Sequence, residues 1–157
     1  MAYVDRNLMS GEQVVYTAKI HWFIFVPGIA LFVVGIFLFG FNKEGGAGPV
    51  IGTITIFLAI LSLIKAFIVR VSTELAITSK RVIAKVGLIS RTTVELNHSK
   101  VESFNVDQSI LGRLFGFGTL IVNGTGGGKT PIPIIDSPLE FRRNAMETID
   151  ASQSHQA

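Results

Sequence analysis

Twenty consecutive residues without a charge, Trp22 to Phe41 (WFIFVPGIALFVVGIFLFGF), and a second run of twenty, Val50 to Val69, charged only at Lys65, constrain this chain more than anything else in it. About 20 apolar residues in a helix cover the roughly 30 Å hydrocarbon core of a bilayer. In 157 residues there is too little other chain to bury two such helices inside a soluble fold. The sequence therefore predicts transmembrane helices at 22–41 and 50–69. The first run is longer than the apolar core of a secretory signal and lacks a small-residue cleavage site, so it reads as a retained span. Asn42–Pro49 (NKEGGAGP) is a short Gly-rich turn, which makes the two helices an antiparallel hairpin.

Lys and Arg set the orientation of such a hairpin. The 42–49 turn holds only Lys43, beside Glu44, whereas Arg6 and Lys19 precede the first helix and Lys65, Arg70, Lys80, Arg81 and Lys85 lie in or after the second. Both termini are therefore expected in the cytoplasm, and residues 42–49 outside it. Lys65 lies about a turn from the cytoplasmic end, close enough for its stem to carry the ammonium to the headgroups. Gly52, Thr55, Ala59, Ser62 and Ala66 recur at spacings of three and four on one face of the second helix, and Gly28 and Gly35 offer small residues on the first. Small faces let membrane helices approach closely, so this seam is expected to pack the hairpin. Pro27 is placed to bend the first helix near its start.

Composition agrees with that reading. Only 16% of residues are charged, against about 25% in soluble domains. The net charge is +3 and the pI about 9.5, but the charge is not concentrated in a binding domain. From Val71 onward nine basic residues meet eight acidic ones, a net of +1, and the rest of the excess lies beside the apolar runs. A nucleic-acid partner is not expected. There are no cysteines, and His21, His98 and His155 show no metal-ligand spacing, so no metal or other cofactor is expected.

After Val71 the pattern becomes short alternating runs. Strands are predicted at Ser72–Thr78, Arg81–Val86, Ile89–Leu96, Val101–Val106 and Thr119–Asn123. A weaker one at Thr130–Ile135 is confined to an edge by Pro131 and Pro133. Val14, Tyr16, Ala18 and Ile20 alternate as well, so the N-terminal segment 1–21 could add a strand. Ser137, Pro138 and Glu140 form a capping box with proline at the first helical position. They open an amphipathic helix in which Phe141, Ala145 and Ile149 recur. Beyond Asp150 the tail at 151–157 reads as disordered. The soluble domain is therefore 71–150, a small β barrel or sandwich closed by a C-terminal helix.

Glu74 to Leu96 (ELAITSKRVIAKVGLISRTTVEL) resembles the opening of the bacterial pleckstrin-homology-like domain family of the second class. Lys100 and Val101, Gln108 to Gly116, and Gly118 to Val122 resemble that family's next strand, its "QS-L-R-LG" connection and its following strand. The resemblance covers about half the chain and includes members with N-terminal membrane helices. It implies an all-β pleckstrin-homology-like roll or barrel beside a membrane α-helical hairpin, in a bacterial inner membrane. It carries no phosphoinositide motif with it.

Three features of the sequence are candidates for chemistry. Asn123–Thr130 (NGTGGGKT) ends like a nucleotide-binding loop, but Asn123 stands where the first Gly belongs and Pro131 follows instead of a helix. A hairpin turn is expected there, and no nucleotide. Arg70, Lys80, Arg81, Lys85 and Arg91 form a basic juxtamembrane set that could face anionic lipid, each contributing about 1 kcal/mol near the surface, or could simply be solvated strand positions. Ile110, Leu111, Leu114 and Phe115 around Arg113 form an apolar helical side that is either a plug in the core or a contact for a partner. No serine, histidine or carboxylate arrangement suggests catalysis. The expected function is thus non-enzymatic: a membrane-anchored interaction module that binds a membrane protein partner or self-associates into a homo-oligomer, with anionic-lipid sensing through the basic face as the alternative.

Overall fold

The computed structural model describes residues 2–41, 46–87 and 92–154. The chain divides into two units, Trp22–Arg70 and the combination of Met1–His21 with Val71–Ala157.

In the first unit a 3-10 turn at Trp22–Phe25 leads into α2 (Val26–Phe41), and α3 spans Gly48–Ser72. The seam of small residues is the contact between them. A Cβ on Gly52 would fall 2.5 Å from the Phe39 backbone nitrogen, and one on Gly35 would fall 2.9 Å from that of Ile56. Ala59 and Ala66 are buried on the same stripe. The other faces carry Ile, Leu, Val and Phe outward.

The second unit begins with a one-turn helix, α1 (Ala2–Arg6), and strand β1 (Val14–Ala18). After α3 come β2 (Glu74–Thr78), β3 (Arg81–Val86), β4 (Thr92–Asn97), a 3-10 turn at His98–Lys100, β5 (Val101–Asp107), α4 (Ile110–Phe115), β6 (Phe117–Gly124), β7 (Lys129–Asp136) and α5 (Pro138–Ser154). The strands form two antiparallel sheets, ordered β1-β2-β3-β4 and β5-β6-β7. The 3-10 turn breaks the chain between them. They meet through the isolated bridge Ile20↔Ile135, not through a continuous ladder, so of the barrel or sandwich expected the barrel does not close and the domain is a pair of sheets. β1 pairs with β2, Ala18 opposite Leu75, so a segment that precedes the hairpin completes a sheet that follows it.

Phe141, Ala145 and Ile149 of α5 are buried, as are Leu75, Ile77, Val82, Phe104, Leu120, Val122, Ile132 and Ile135 on the strands. The Phe141 ring meets Tyr16 and Phe104 edge-on at centroid distances of 5.9 and 6.3 Å. The first sheet is covered on its other face too. Val4 of α1 packs on Ala76 and Ile83, with Tyr3, Leu8 and Val14 around it. β2 is therefore buried along its whole length.

Three expectations about the ends of elements change. Ser72 finishes α3, and β2 starts at Glu74. Ser137 sits at φ 46°, outside the extended conformation a capping residue uses, so the capping box does not form. The tail expected to be disordered after Asp150 continues α5 to Ser154, where the Ser152 hydroxyl lies 3.1 Å from His98 Nδ1.

Candidate functional site

α4 connects β5 to β6, and its backbone explains what its side chains do. The Ser109 hydroxyl caps it by accepting the Gly112 N–H at 3.1 Å, and Gly116, at φ 79°, ends it in the left-handed conformation that glycine adopts without strain. Gly112 is the residue that α4 turns inward. A Cβ there would lie 2.6 Å from the Phe117 carbonyl oxygen, so no larger residue fits without moving the helix. Gln108 Nε2 donates to that same carbonyl at 3.0 Å and ties the two ends of the connection together. With its inner face reduced to a glycine, α4 sends its apolar residues outward: Ile110 is 86% exposed, Leu114 74%, Leu111 52% and Phe115 44%. These residues and Arg113 do not plug the core.

The position of α4 in the unit is set by the strand registers. Ala18 opposite Leu75 places the end of β1, which leads to Trp22, beside the start of β2, which comes from α3. Both connections to the apolar helices thus leave from one end of the domain. The second sheet reaches the same end. The Asp136 N–H donates to the Lys19 carbonyl at 2.9 Å, and the His21 N–H donates to the Ile134 carbonyl at 2.7 Å. Ile134 is held at φ 55°, a conformation that a β-branched residue rarely adopts, where its carbonyl meets His21. The His21 ring stacks on Phe117 at 5.4 Å, and Phe117 is two residues past the end of α4. Leu139, 56% exposed in the first turn of α5, lines one shallow groove with Arg113, Gly116 and Pro138.

Of the basic candidates, Lys80, Arg81 and Lys85 lie in the β unit and are not grouped there. Arg81 is buried: its Nε donates to Glu12 at 2.9 Å, one Nη to Glu95, and the other Nη to the Glu12 carboxylate and the Asn7 carbonyl. Arg81 and Glu12 are withdrawn from solvent, with Glu95 at the partly exposed edge of the cluster. Burial alone would raise the Glu12 carboxyl, but hydrogen bonds from Arg81, the Met9 N–H and the Thr78 hydroxyl outweigh it and hold the group below its ordinary 4.5. Lys85 pairs with Glu74 at 3.2 Å and lies over the Tyr3 ring. Lys80 is exposed and donates to the Ser10 carbonyl, but at the far end of β2, roughly 15 Å from where the chain arrives at Glu74 at about 3.3 Å per strand residue. Arg70 lies in the other unit, over the Phe25 ring. Arg91 lies outside the described residues. The sequence missed Glu12, Glu74 and Glu95, and could not have paired them, since Glu12 and Arg81 stand 69 positions apart.

The remaining motifs resolve as structure. The Gly run closes the β6–β7 hairpin through hydrogen bonds from the Gly124 N–H to the Gly128 carbonyl and from the Gly127 N–H to the Gly124 carbonyl, and leads into a strand. Among the described residues no group of three His, Asp or Glu side chains is placed to hold a metal ion.

Searches of curated proteins and of solved structures each return no match. The protein-family model for the bacterial PH domain matches residues 23–146, more than half of the chain and most of both units. PH-like domains of this kind are in general non-catalytic modules for protein or lipid interaction. With its two antiparallel sheets, its terminal helix and its pair of apolar helices, the chain belongs to the bacterial PH domain family.

Proposed function

We propose that the chain is a membrane-anchored, non-enzymatic PH-like interaction module: α2 and α3 cross the membrane as a hairpin, and the β domain works on the cytoplasmic side through the outward face of α4. One observation carries the anchoring. Only 11% of the apolar stretch of either helix is buried in the structure, whereas a core helix of a soluble protein is buried over most of its length. Phe37, Val50 and Phe57, each at least 60% exposed, need an apolar solvent. The common end at which β1 leaves and β2 arrives supports a hairpin that returns to the side it came from. The outward apolar residues of α4 support an interaction there. For the alternative of a basic lipid-binding face, Arg81 and Lys85 are already paired and Lys80 lies at the other end of the strands, which favours the α4 face over it.

Single cysteines in this cysteine-free chain test the topology. In intact cells Ala47→Cys should react with a membrane-impermeant thiol reagent. Gly126→Cys, in the open turn of the β6–β7 hairpin, should react only after permeabilisation. The reverse pattern would place the domain outside the cytoplasm, and labelling at both positions would remove the hairpin.

A further inference from the structure

We infer that the face α4 presents is occupied by the bilayer itself: Ile110, Leu111, Leu114 and Phe115, with Leu139 beside them, form an apolar wedge seated in the headgroup–acyl boundary next to the point where the chain enters the membrane. This rests on the membrane-anchored reading and names the partner of that same surface.

Three observations converge. The residues are apolar and outward, with Ile110 and Leu114 among the most exposed apolar side chains of the described chain. They are tethered to the entry point, because Phe117, just past α4, stacks on His21, and His21 is the last residue before the apolar helix unit begins. Leu139, on a different element, is exposed at that same end of the domain, since α5 starts where β7 reaches Lys19. A surface held beside the bilayer by its own chain meets lipid before any diffusing partner. Apolar side chains in that position are stabilised by burial of about 25 cal/mol per Å² of apolar area.

The charges around the wedge set its character. Lys19 and Arg113 are exposed at this end, and so are Asp107, Asp136 and Glu140, which leaves no excess of positive charge. Lys85 and Glu74, also at this end, neutralise each other. With no net positive field, seating draws on apolar burial, and neither anionic lipid nor low salt is required. Arg113 snorkels from the same helix, its stem along the apolar side and its guanidinium at the phosphates.

The test uses the full-length protein reconstituted in nanodiscs, with an environment-sensitive fluorophore on one introduced cysteine at a time and lipids brominated at defined acyl depths as quenchers. Labels on Ile110→Cys and Leu114→Cys should be quenched severalfold more than one on Gly126→Cys. Quenching should be strongest from bromines at shallow positions, about 5–10 Å into the boundary. It should be the same in neutral and anionic discs and unchanged by high salt. A label on Leu58→Cys, outward-facing within α3, reports the hairpin separately and should be quenched from deep positions. If Leu58→Cys is quenched and the α4 labels are not, the wedge is wrong and the anchor stands. If Leu58→Cys is unquenched, the anchor itself is wrong. If the α4 labels are shielded only in discs holding two copies, the occupant is a second copy of the chain and the wedge is overturned. Quenching in anionic discs alone, lost in salt, would also overturn it, because that is a charge-driven contact.

Discussion

The most consequential residue inside the β domain is one whose charge suggests the surface. Arg81 shares the Glu12 carboxylate through two nitrogens and reaches Glu95 with a third, all under the N-terminal segment. Removing one partner from a buried ion pair strands the other, which costs about 3–5 kcal/mol. Arg81→Met should therefore lower stability by about that much, measured by chemical denaturation, and Glu12→Leu added to it should restore most of the loss because the stranded carboxylate is gone. Acid should lower stability in two steps. His98 is pushed below its ordinary 6.5, chiefly by burial, with the nearby Thr78 carbonyl and Glu12 opposing more weakly. A histidine depressed in the folded state contributes stability that is lost as pH falls from 6.5 toward its folded value, since the unfolded chain then binds more protons. Glu12 and Glu74 both lie below 4.5, so their contribution is full above that pH and is lost as pH falls through their folded values. Melting temperature followed from pH 7 to pH 3 should thus decline in two stages, and His98→Gln should abolish the upper stage alone. A single transition unchanged in His98→Gln would contradict this assignment.

At the scale of elements, the periodicity of the sequence reads well wherever contacts are local. β3, β5 and the β6–β7 hairpin fall where alternation and the Gly-rich turn place them, and the small-residue seam of α3 marks its contact with α2. What could not be read depended on partners remote in sequence. β2 is buried on both faces because α1 covers the second one, and neither alternation nor propensity announces a cover that arrives from before the hairpin. α5 outruns its apolar repeat because Ser152 meets His98, and ASQS contains neither Pro nor Gly to stop a helix. The direction of α4 was legible only in part. Its apolar side was plain, but that Gly112 and not those residues faces the sheet follows from a close backbone approach no pattern encodes. The seam supports a prediction of its own. Gly52→Val places a branched side chain where the Phe39 backbone already sits, so it should cost about 1–3 kcal/mol by overpacking. Gly40→Val, with open space around its Cβ, should cost less. Thermal unfolding in detergent compares the two, and equal losses would mean that the seam does not hold the hairpin.

For the whole molecule, the decisive fact is that one folded unit is assembled from chain on both sides of the other. Residues 71–157 alone lack the β1 edge, the Val4 cover over Ala76 and Ile83, and Glu12, the more deeply buried of the two acids that pair with Arg81. That fragment should fail to fold, giving little regular circular dichroism and a collapsed amide spectrum. Joining residues 1–21 to it through a flexible Gly/Ser linker in place of the hairpin should restore a dispersed spectrum. Loop length is a weak obstacle, since each doubling costs only about 0.6 kcal/mol. A well-folded 71–157 fragment would show that β1 is an accessory strand.

This divided domain also makes folding a report on biogenesis. β1 leaves the ribosome before either apolar helix and β2 only after both, so the first strand must wait, unpaired, for its partner. On the membrane-spanning reading, a chain in which one helix fails to insert would leave the two strands in different compartments. Its Glu12 would remain solvated on one side and its Arg81 would keep only Glu95 on the other, with an open sheet edge at β2. Completion of the first sheet then depends on a correctly threaded hairpin, because only such a chain brings β1 and β2 into one compartment.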